Sequence, residues 1–201
     1  MTKIVFDVGA NNGISTIAYA EDPYTTVYRF EPTPRLAQIL REQPGLNLVT
    51  VETAVSDFEG TADFFVAGQA DWGCSSLLEF SEKSKTEWKE RYDFVVTEKI
   101  QVKVIRLDNY IEQNGIERID YFHCDAQGSD LRVLKGMGQY INLINEGVIE
   151  AANENKQDIL YKGQNTLEEC REYLESFGFE IFSVESNDRD SNEVNIRFRK
   201  P

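Results

Sequence analysis

The chain has 201 residues, of which 41% are hydrophobic and 11% aromatic, and this is enough apolar material for one sizeable core. Lysine and arginine total 21 against 35 aspartates and glutamates, so the formal net charge is −14. Because nucleic acid is bound through clustered positive charge, and the longest basic group is Arg197, Arg199 and Lys200, we expect no nucleic-acid partner and favour a neutral or cationic substrate.

Apolar runs alternate with helix-period stretches along the chain, which is the pattern of βαβ units around a mostly parallel sheet. Strands of this core are predicted at residues 4–6, 27–30, 48–52, 119–124 and 147–152. Helices are predicted at residues 13–20, 34–41, 130–135 and 166–177, the last beginning at a capping box of Thr166 and Glu169. Residues 179–184 and 194–198 are predicted to close the sheet as an antiparallel hairpin.

The middle of the chain interrupts this alternation. Residues 61–66 and 99–105 have the composition of strands and flank a polar stretch from Gly68 to Val96. We predict a β insertion over about residues 58–106, because long loops in a compact domain usually form lids or binding loops. The predicted architecture is α/β and Rossmann-like, a mostly parallel seven-stranded sheet with an antiparallel C-terminal hairpin and an insertion after the third strand.

The three cysteines, Cys74, Cys124 and Cys170, form no C-x-x-C pair, so the sequence indicates neither a disulfide framework nor a zinc site. No apolar run approaches the roughly 18 residues that a membrane span requires. No secretory signal precedes the first predicted strand. We therefore expect a cytoplasmic protein without a membrane span, folded as one domain over residues 1–201.

A glycine-bearing turn, DVGANNG at residues 7–13, joins the first predicted strand to the first helix. Gly9 in such a turn lets the backbone approach a ligand closely. A dinucleotide fingerprint would have a second glycine where Asn11 stands, to admit a pyrophosphate, so a nicotinamide-dependent oxidoreductase is the less favoured hypothesis. S-adenosylmethionine has no pyrophosphate, so a site that binds it can have a side chain at the position of Asn11.

Partners for each part of S-adenosylmethionine follow from these positions. Asp7 is expected to meet its ammonium, directly or through water, and the amides near Asn12 and Gly13 its carboxylate. Glu31, about twenty residues further on at the end of the second strand, is expected to accept the ribose hydroxyls.

The adenine is expected to rest against the segment that follows the third predicted strand. This segment contains Val55 and Asp57, and the Asp57 carboxylate would accept a hydrogen bond from the exocyclic amine. An equally simple interpretation is that Asp57 caps the turn leading to Gly60.

These segments resemble the FkbM family of methyltransferases over nearly the whole chain. The most specific block, IDYFHCDAQGSDLRVLKG at residues 119–136, is similar to the family's IDLLKIDVEGAELEVLKG, although His123 replaces a lysine and Gln127 a glutamate. Residues 30–32, 73–77 and 161–164 also resemble the family. The resemblance implies a class I methyltransferase that uses S-adenosylmethionine, releases S-adenosylhomocysteine and methylates a hydroxyl group.

Family members commonly carry sequence before the first strand, whereas here the predicted strand begins almost at Met1. We therefore expect either a minimal form or a domain of a longer protein that also carries glycosyltransferase-type domains.

Asp125 follows the fourth core strand, where open α/β sheets place their active sites, and we predict that it is the general base or a substrate-orienting residue. Its alternative role is to cap the next helix. His123, the only histidine, shares a strand face with Asp125 by alternation, and is a second catalytic candidate or a packed residue. Glu150 and Glu154 near the end of the fifth strand would approach Asp125, which leaves a Mg²⁺ site open.

Substrate contacts are predicted from Trp72, Ser75 and Ser76 in the insertion, and from Gln127 and Glu150. A tryptophan beside two serines can stack on a sugar ring and bind its hydroxyls, although an exposed loop with one packed tryptophan is the plain alternative. The resemblance implies a sugar or oligosaccharide acceptor, with a deoxyhexose such as rhamnose or fucose favoured and a non-sugar natural product as the alternative.

A non-catalytic module that binds a nucleotide-like ligand or a glycan is the alternative from another functional class. The combination of Asp7, Glu31 and Asp125 at three predicted strand ends favours an enzyme.

Overall fold

The computed structural model describes residues 2–68, 72–88, 94–153, 158–187 and 192–201. In chain order its strands are β1 (Lys3–Val8), β2 (Thr25–Phe30), β3 (Leu48–Val51), β4 (Ala54–Val55), β5 (Gly60–Ala67), β6 (Val96–Ile105), β7 (Ile119–Cys124), β8 (Ile144–Ala152), β9 (Glu180–Ser186) and β10 (Glu193–Arg199). The α-helices are α1 (Ile17–Ala20), α2 (Pro34–Glu42), α3 (Ser84–Glu87), α4 (Leu107–Asn114), α5 (Asp130–Lys135) and α6 (Leu167–Ser176). Short 3₁₀ helices cover Ile14–Thr16, Trp72–Cys74 and Gly138–Leu143.

The described residues form a seven-stranded sheet in the order β3-β2-β1-β7-β8-β10-β9. The first five strands in this order run parallel to one another, and β10 is antiparallel to both β8 and β9. This confirms the predicted α/β sheet and its antiparallel C-terminal strands. The strand order reverses between β1 and β7, so the turns that follow these two strands form the crevice in which such sheets bind ligands.

The central strands are apolar because both faces of the sheet are covered. Phe6 on β1 and Phe122 on β7 are fully buried in one large core. Ile111 of α4 and Leu174 of α6 pack into the same core. The buried centre therefore lies directly beneath the turns that follow β1 and β7.

The insertion is a second sheet of three strands among the described residues, in the order β4-β6-β5. β5 and β6 are antiparallel and pair from Gly60 opposite Val104. Phe64 and Val102 belong to a small apolar cluster of its own. The predicted β insertion is thus confirmed, with β4 as an additional short strand.

Two helices differ from the sequence prediction. The first helix begins as a 3₁₀ turn at Ile14–Thr16, with Gly13 at φ 77° before it and only four α-helical residues after it. Helix α4 was not predicted, although Leu107 and Ile111 are spaced by one helical turn and Gly115 ends the helix at φ 60°. No helix in the described part of the chain is long and apolar enough to cross a membrane.

Candidate active site

A cavity with about 520 Å³ of empty space, part of it open to solvent, lies at the carboxyl ends of β1, β2 and β7. We call it the first cavity. It is covered on one side by Phe64 and Leu77 of the insertion. The predicted site residues that line it are Gly9, Asn11, Glu31, Val55, Ser75, Asp125 and Gln127.

Gly9 allows the turn after β1 to pack against the turn after β7. Its φ is 76°, and a Cβ atom at this position would lie 2.0 Å from the Asp125 carbonyl oxygen. The Asp125 amide donates to the Val8 carbonyl at 2.9 Å. The glycine is therefore needed for a backbone contact that fixes Asp125, in addition to its place in the cavity lining.

Glu31 joins the ends of β1 and β2. Its Oε2 accepts a hydrogen bond from the Asn11 amide at 2.9 Å, and its Oε1 accepts one from the Thr33 amide at 2.8 Å. Burial raises the pKa of this carboxyl above its usual value, although these hydrogen bonds oppose the shift. Asn11 adopts a φ of 49°, a left-handed conformation that asparagine tolerates better than most residues.

A second cavity, of about 610 Å³, adjoins the first. Gly73, Asp125 and Gln127 line both cavities. Glu150 lines only the second, so the structure brings this predicted residue beside Asp125. The remaining described lining residues are Cys74, Trp88, Phe94, Leu160, Asn187 and Glu193.

Gln127 lies where the two cavities meet and is held on several sides. Its φ is 49°, and its carbonyl oxygen accepts a hydrogen bond from Ser76 Oγ at 2.7 Å. The side-chain Oε1 accepts from the Tyr161 hydroxyl at 2.6 Å. The side-chain Nε2 donates to Asp125 Oδ1 and lies 3.4 Å from Glu150 Oε2. One amide therefore connects two carboxyl groups of the site.

Glu150 is fully buried, and this burial, together with the charges of Asp125 and Glu193, raises the pKa of its carboxyl well above the usual value. Asn187 donates a hydrogen bond to it. The raised pKa favours the protonated carboxyl, which can donate a hydrogen bond as well as accept one.

The described residues contain no group of three or more His, Cys, Asp or Glu side chains arranged to hold a metal ion. Glu154, which the sequence placed near a Mg²⁺ site with Glu150, lies outside the described residues.

Asp7 and His123 form a separate pair that lines neither cavity. Asp7 is fully buried; its Oδ2 accepts from Thr16 Oγ1 at 2.6 Å and its Oδ1 lies 2.8 Å from His123 Nδ1. Burial lowers the pKa of His123, but the hydrogen bond and charge of Asp7 raise it more, so the net pKa is above the usual value. The Asp7 contact with the ammonium and the catalytic role of His123 stay predictions.

Five other predicted residues also lie outside the described linings, among them Ser76, whose hydroxyl donates to the Gln127 carbonyl. Asn12 is exposed, with its Oδ1 accepting from the backbone amide two residues later at 3.1 Å. Gly13 is buried, and Asp57 is exposed. The backbone of Trp72 lies in a 3₁₀ helix, while its side chain is outside the described part of the structure.

Several lining residues were not predicted. Ser129 is 1% exposed, and its hydroxyl has no hydrogen-bond partner among the described residues. Its position, four residues after Asp125 in the block of residues 119–136, was a usable signal. Trp88, Asn187 and Glu193 had no such signal, because only the tertiary fold brings them to the second cavity.

Comparison with known proteins identifies the family. Residues 7–181 match the Methyltransferase FkbM domain. The 2-O-methyltransferase NoeI of Sinorhizobium fredii is 28% identical over 182 residues, which cover 87% of this chain and 72% of NoeI. The 31-O-demethyl-FK506 methyltransferase FkbM of Streptomyces tacrolimicus is 30% identical over 153 residues, 67% of this chain and 59% of that protein.

The fold agrees with this match. The crystal structure of a putative S-adenosylmethionine-dependent methyltransferase from Listeria monocytogenes superposes with a TM-score of 0.50 at 10% identity, covering 100% of this chain and 92% of that one. The fold of the present chain, a mostly parallel sheet with antiparallel C-terminal strands, is the class I methyltransferase fold. The chain belongs to the FkbM family of S-adenosylmethionine-dependent methyltransferases.

Proposed function

We propose that this protein transfers a methyl group from S-adenosylmethionine to a hydroxyl group of a sugar in a neutral glycan, with a terminal deoxyhexose such as rhamnose or fucose as the favoured acceptor. The observation that carries the proposal is the meeting of two cavities at Asp125 and Gln127. A transferase needs a donor site and an acceptor site that share one boundary. The names of the two relatives, which specify 2-O and 31-O positions, support an oxygen acceptor.

The first cavity fits the methyl donor. Glu31 lies at the end of β2, where it would accept the ribose hydroxyls, and Val55 offers an apolar surface for the adenine. Ser129 supplies a buried hydroxyl without a described partner, which favours a polar ligand over an apolar one. The predicted roles of Asp7, Asn12 and Gly13 toward the amino-acid end of the donor are part of this proposal.

The second cavity fits a sugar better than a flat aromatic acceptor. Trp88 and Phe94 meet edge to face with ring centroids 5.3 Å apart and form an apolar wall. The buried indole N–H of Trp88 has no hydrogen-bond partner among the described residues, so it can donate to a ligand oxygen. Carboxyl and amide groups of Glu150, Asn187 and Glu193 line the same cavity and suit a ring with several hydroxyls.

Asp125 is the proposed general base. When bound, S-adenosylmethionine supplies an electrophilic methyl group on its sulfonium. As the acceptor oxygen took up this methyl group, the S–C bond of the donor would break and S-adenosylhomocysteine would leave with its electron pair. Asp125, at the boundary of both cavities, would accept the hydroxyl proton. Both sites also hold the reactants close together, which is the main requirement of a direct displacement.

The test offers labelled S-adenosylmethionine with matched acceptors: neutral oligosaccharides ending in rhamnose or fucose, catechol-type phenols, macrocyclic alcohols, RNA and DNA. We expect methylation of a sugar hydroxyl, located by NMR, and slower reaction of free monosaccharides, because remote contacts help to position the reacting group. Methyl transfer to a phenol, a macrocycle or a nucleic acid and to no sugar would overturn the sugar assignment. Parallel reactions with EDTA and with added Mg²⁺ test for a metal-activated hydroxyl.

Calorimetry separates this function from the other ligand classes. We expect S-adenosylmethionine to bind and NAD not to bind. A protein that binds the donor and a glycan but transfers no methyl group to any acceptor would instead be a non-catalytic binding module.

A further inference from the structure

We propose that Tyr161 is a positioning residue for methyl transfer, which orients the Gln127 amide and through it the Asp125 carboxylate. The inference rests on the proposed function, because Asp125 is the base of that reaction. Tyr161 is fully buried and lines neither cavity, yet its hydroxyl lies 2.6 Å from Gln127 Oε1. The same hydroxyl lies 2.9 Å from the Cys74 carbonyl oxygen, so it touches the cavity lining at Gln127 and at the Cys74 backbone.

The hydroxyl of Tyr161 determines which end of the Gln127 amide faces the carboxyl groups. Burial raises the pKa of this phenol well above its usual value, so it stays a hydrogen-bond donor. Its single proton has two acceptors within reach, the Cys74 carbonyl at 2.9 Å and Gln127 Oε1 at 2.6 Å. When the proton is directed to the nearer acceptor, it is matched by the amide oxygen and not by the amide NH₂ group. With Oε1 held by Tyr161, Nε2 is directed to Asp125 Oδ1 and Glu150 Oε2. A reversed amide would place its oxygen against the Asp125 carboxylate.

The Tyr161 ring also packs against the backbone turn that contains Gln127. Gln127 and Gly128 both have positive φ, 49° and 85°. A Cβ atom on Gly128 would lie 3.0 Å from Cδ2 of the Tyr161 ring, so the ring packs directly on this turn. The ring also stacks on Phe80, with centroids 5.3 Å apart and planes inclined by 20°. The position of the hydroxyl is thus fixed by the packing of the ring.

The hydroxyl and the ring have separable roles. Tyr161→Phe keeps the stacking on Phe80 and the contact with Gly128, and removes only the donor. Tyr173→Phe is the matched control, because the Tyr173 hydroxyl is 3.5 Å from the Leu134 carbonyl and away from both cavities.

The first experiment measures methyl transfer to the neutral oligosaccharide that reacts fastest with the unmodified protein. For Tyr161→Phe we expect kcat to fall about tenfold, the loss of one well-placed hydrogen bond, with unchanged calorimetric affinity for S-adenosylmethionine. The acidic limb of the kcat–pH profile should move to higher pH, because the ionised Asp125 carboxylate loses an oriented donor. Tyr173→Phe should change neither quantity.

A double-mutant cycle with Gln127→Leu tests whether Tyr161 acts through the amide. Once the amide is absent, Tyr161→Phe should lower kcat no further. An equal loss in both backgrounds, or an unchanged kcat and pH profile in Tyr161→Phe alone, would overturn the proposal.

A second readout is independent of the acceptor. The side-chain NH₂ signal of Gln127 in ¹⁵N-labelled protein, identified by its absence in Gln127→Leu, should exchange with water slowly, and at least about ten times faster in Tyr161→Phe. Unchanged exchange would contradict the positioning role even if no acceptor were methylated. Failure of methyl transfer in the unmodified protein, with altered exchange, would reject the proposed function and leave the Tyr161 contact established.

Discussion

The two cavities that meet at Asp125 and Gln127 are built in different ways. The first is formed largely by turns that directly follow β1, β2 and β7, and by the insertion that covers them. The second takes its walls from segments far apart in the chain, with Trp88 in the insertion, Glu150 on β8 and Glu193 on β10. In the proposed function, the donor would be bound by the local geometry of adjacent strand ends, whereas the acceptor would be bound by residues that only the tertiary fold brings together.

Asp125→Asn should give the largest effect, because Asp125 lies on the boundary of both cavities. The amide keeps the shape of the side chain but cannot take the hydroxyl proton, so methyl transfer should fall at least about a hundredfold. Single-turnover transfer from labelled donor measures this loss. Donor affinity by calorimetry and the free energy of unfolding should change little. Activity that survives, is lost on chelation and returns with Mg²⁺ would replace the carboxylate base by a metal-activated hydroxyl.

Glu31→Ala should affect the first cavity alone. Loss of a charge-assisted acceptor for the ribose, worth roughly 1.5–3 kcal/mol, should weaken S-adenosylmethionine binding about tenfold or more. Glu52→Ala, which removes an exposed carboxylate paired with Arg41 on the surface, is the control and should leave the affinity unchanged. The KM for the acceptor should be the same in both variants. An unaltered donor affinity in Glu31→Ala would contradict the cofactor assignment.

The first cavity was largely predictable from the sequence. Gly9 and Asn11 follow a predicted strand at a spacing that indicates a ligand turn, and Glu31 ends the next strand. Most strands of the main sheet could be predicted for the same reason, since the apolar runs and connecting helices are local signals. The short 3₁₀ start of the first helix was not predicted, because it depends on contacts such as that of Thr16 with Asp7.

The second cavity could not be assembled from the sequence. Glu193 lies opposite Ala152 in the antiparallel pairing of β10 with β8, and no local pattern specifies that register. The sequence predicts Trp72 as the sugar-stacking residue because it lies three residues before Ser75, and this stays a prediction because the Trp72 side chain is outside the described part of the structure. The described aromatic wall is formed by Trp88 and Phe94. Choosing between two tryptophans in one polar insertion requires tertiary contacts.

Trp88→Ala should affect the second cavity alone. Removing the stacking surface and the indole donor should raise the KM for a neutral oligosaccharide about fivefold, since aromatic contacts contribute on the order of 1 kcal/mol beyond their buried area. Tyr24→Ala, at a ring that is 74% exposed, is the control. Donor affinity should be equal in both variants. A weakened donor affinity in Trp88→Ala with an unchanged acceptor KM would reverse the assignment of the two cavities.

The smallest effect is expected from the Asp7–His123 pair, which lines neither cavity and should influence stability more than either binding event. The folded-state pKa of His123 is raised, so protonated His123 stabilises the fold fully below the pKa of unfolded histidine, about 6.5. This contribution is lost as pH rises through the higher folded-state pKa.

His123→Gln should therefore be less stable than the unmodified protein at pH 5.5, by on the order of 1 kcal/mol, and the difference should shrink toward pH 9. Urea unfolding of both proteins at each pH gives this quantity. Asp130, with a pKa of about 7, titrates in the same range. The free energies of unfolding of the two proteins must therefore be compared at the same pH, because the pH dependence of either protein alone also contains the titration of Asp130. If the difference in free energy of unfolding stayed constant or grew with pH, protonated His123 would not stabilise the fold through Asp7. A lower donor affinity in His123→Gln would support the proposed contact between Asp7 and the donor ammonium.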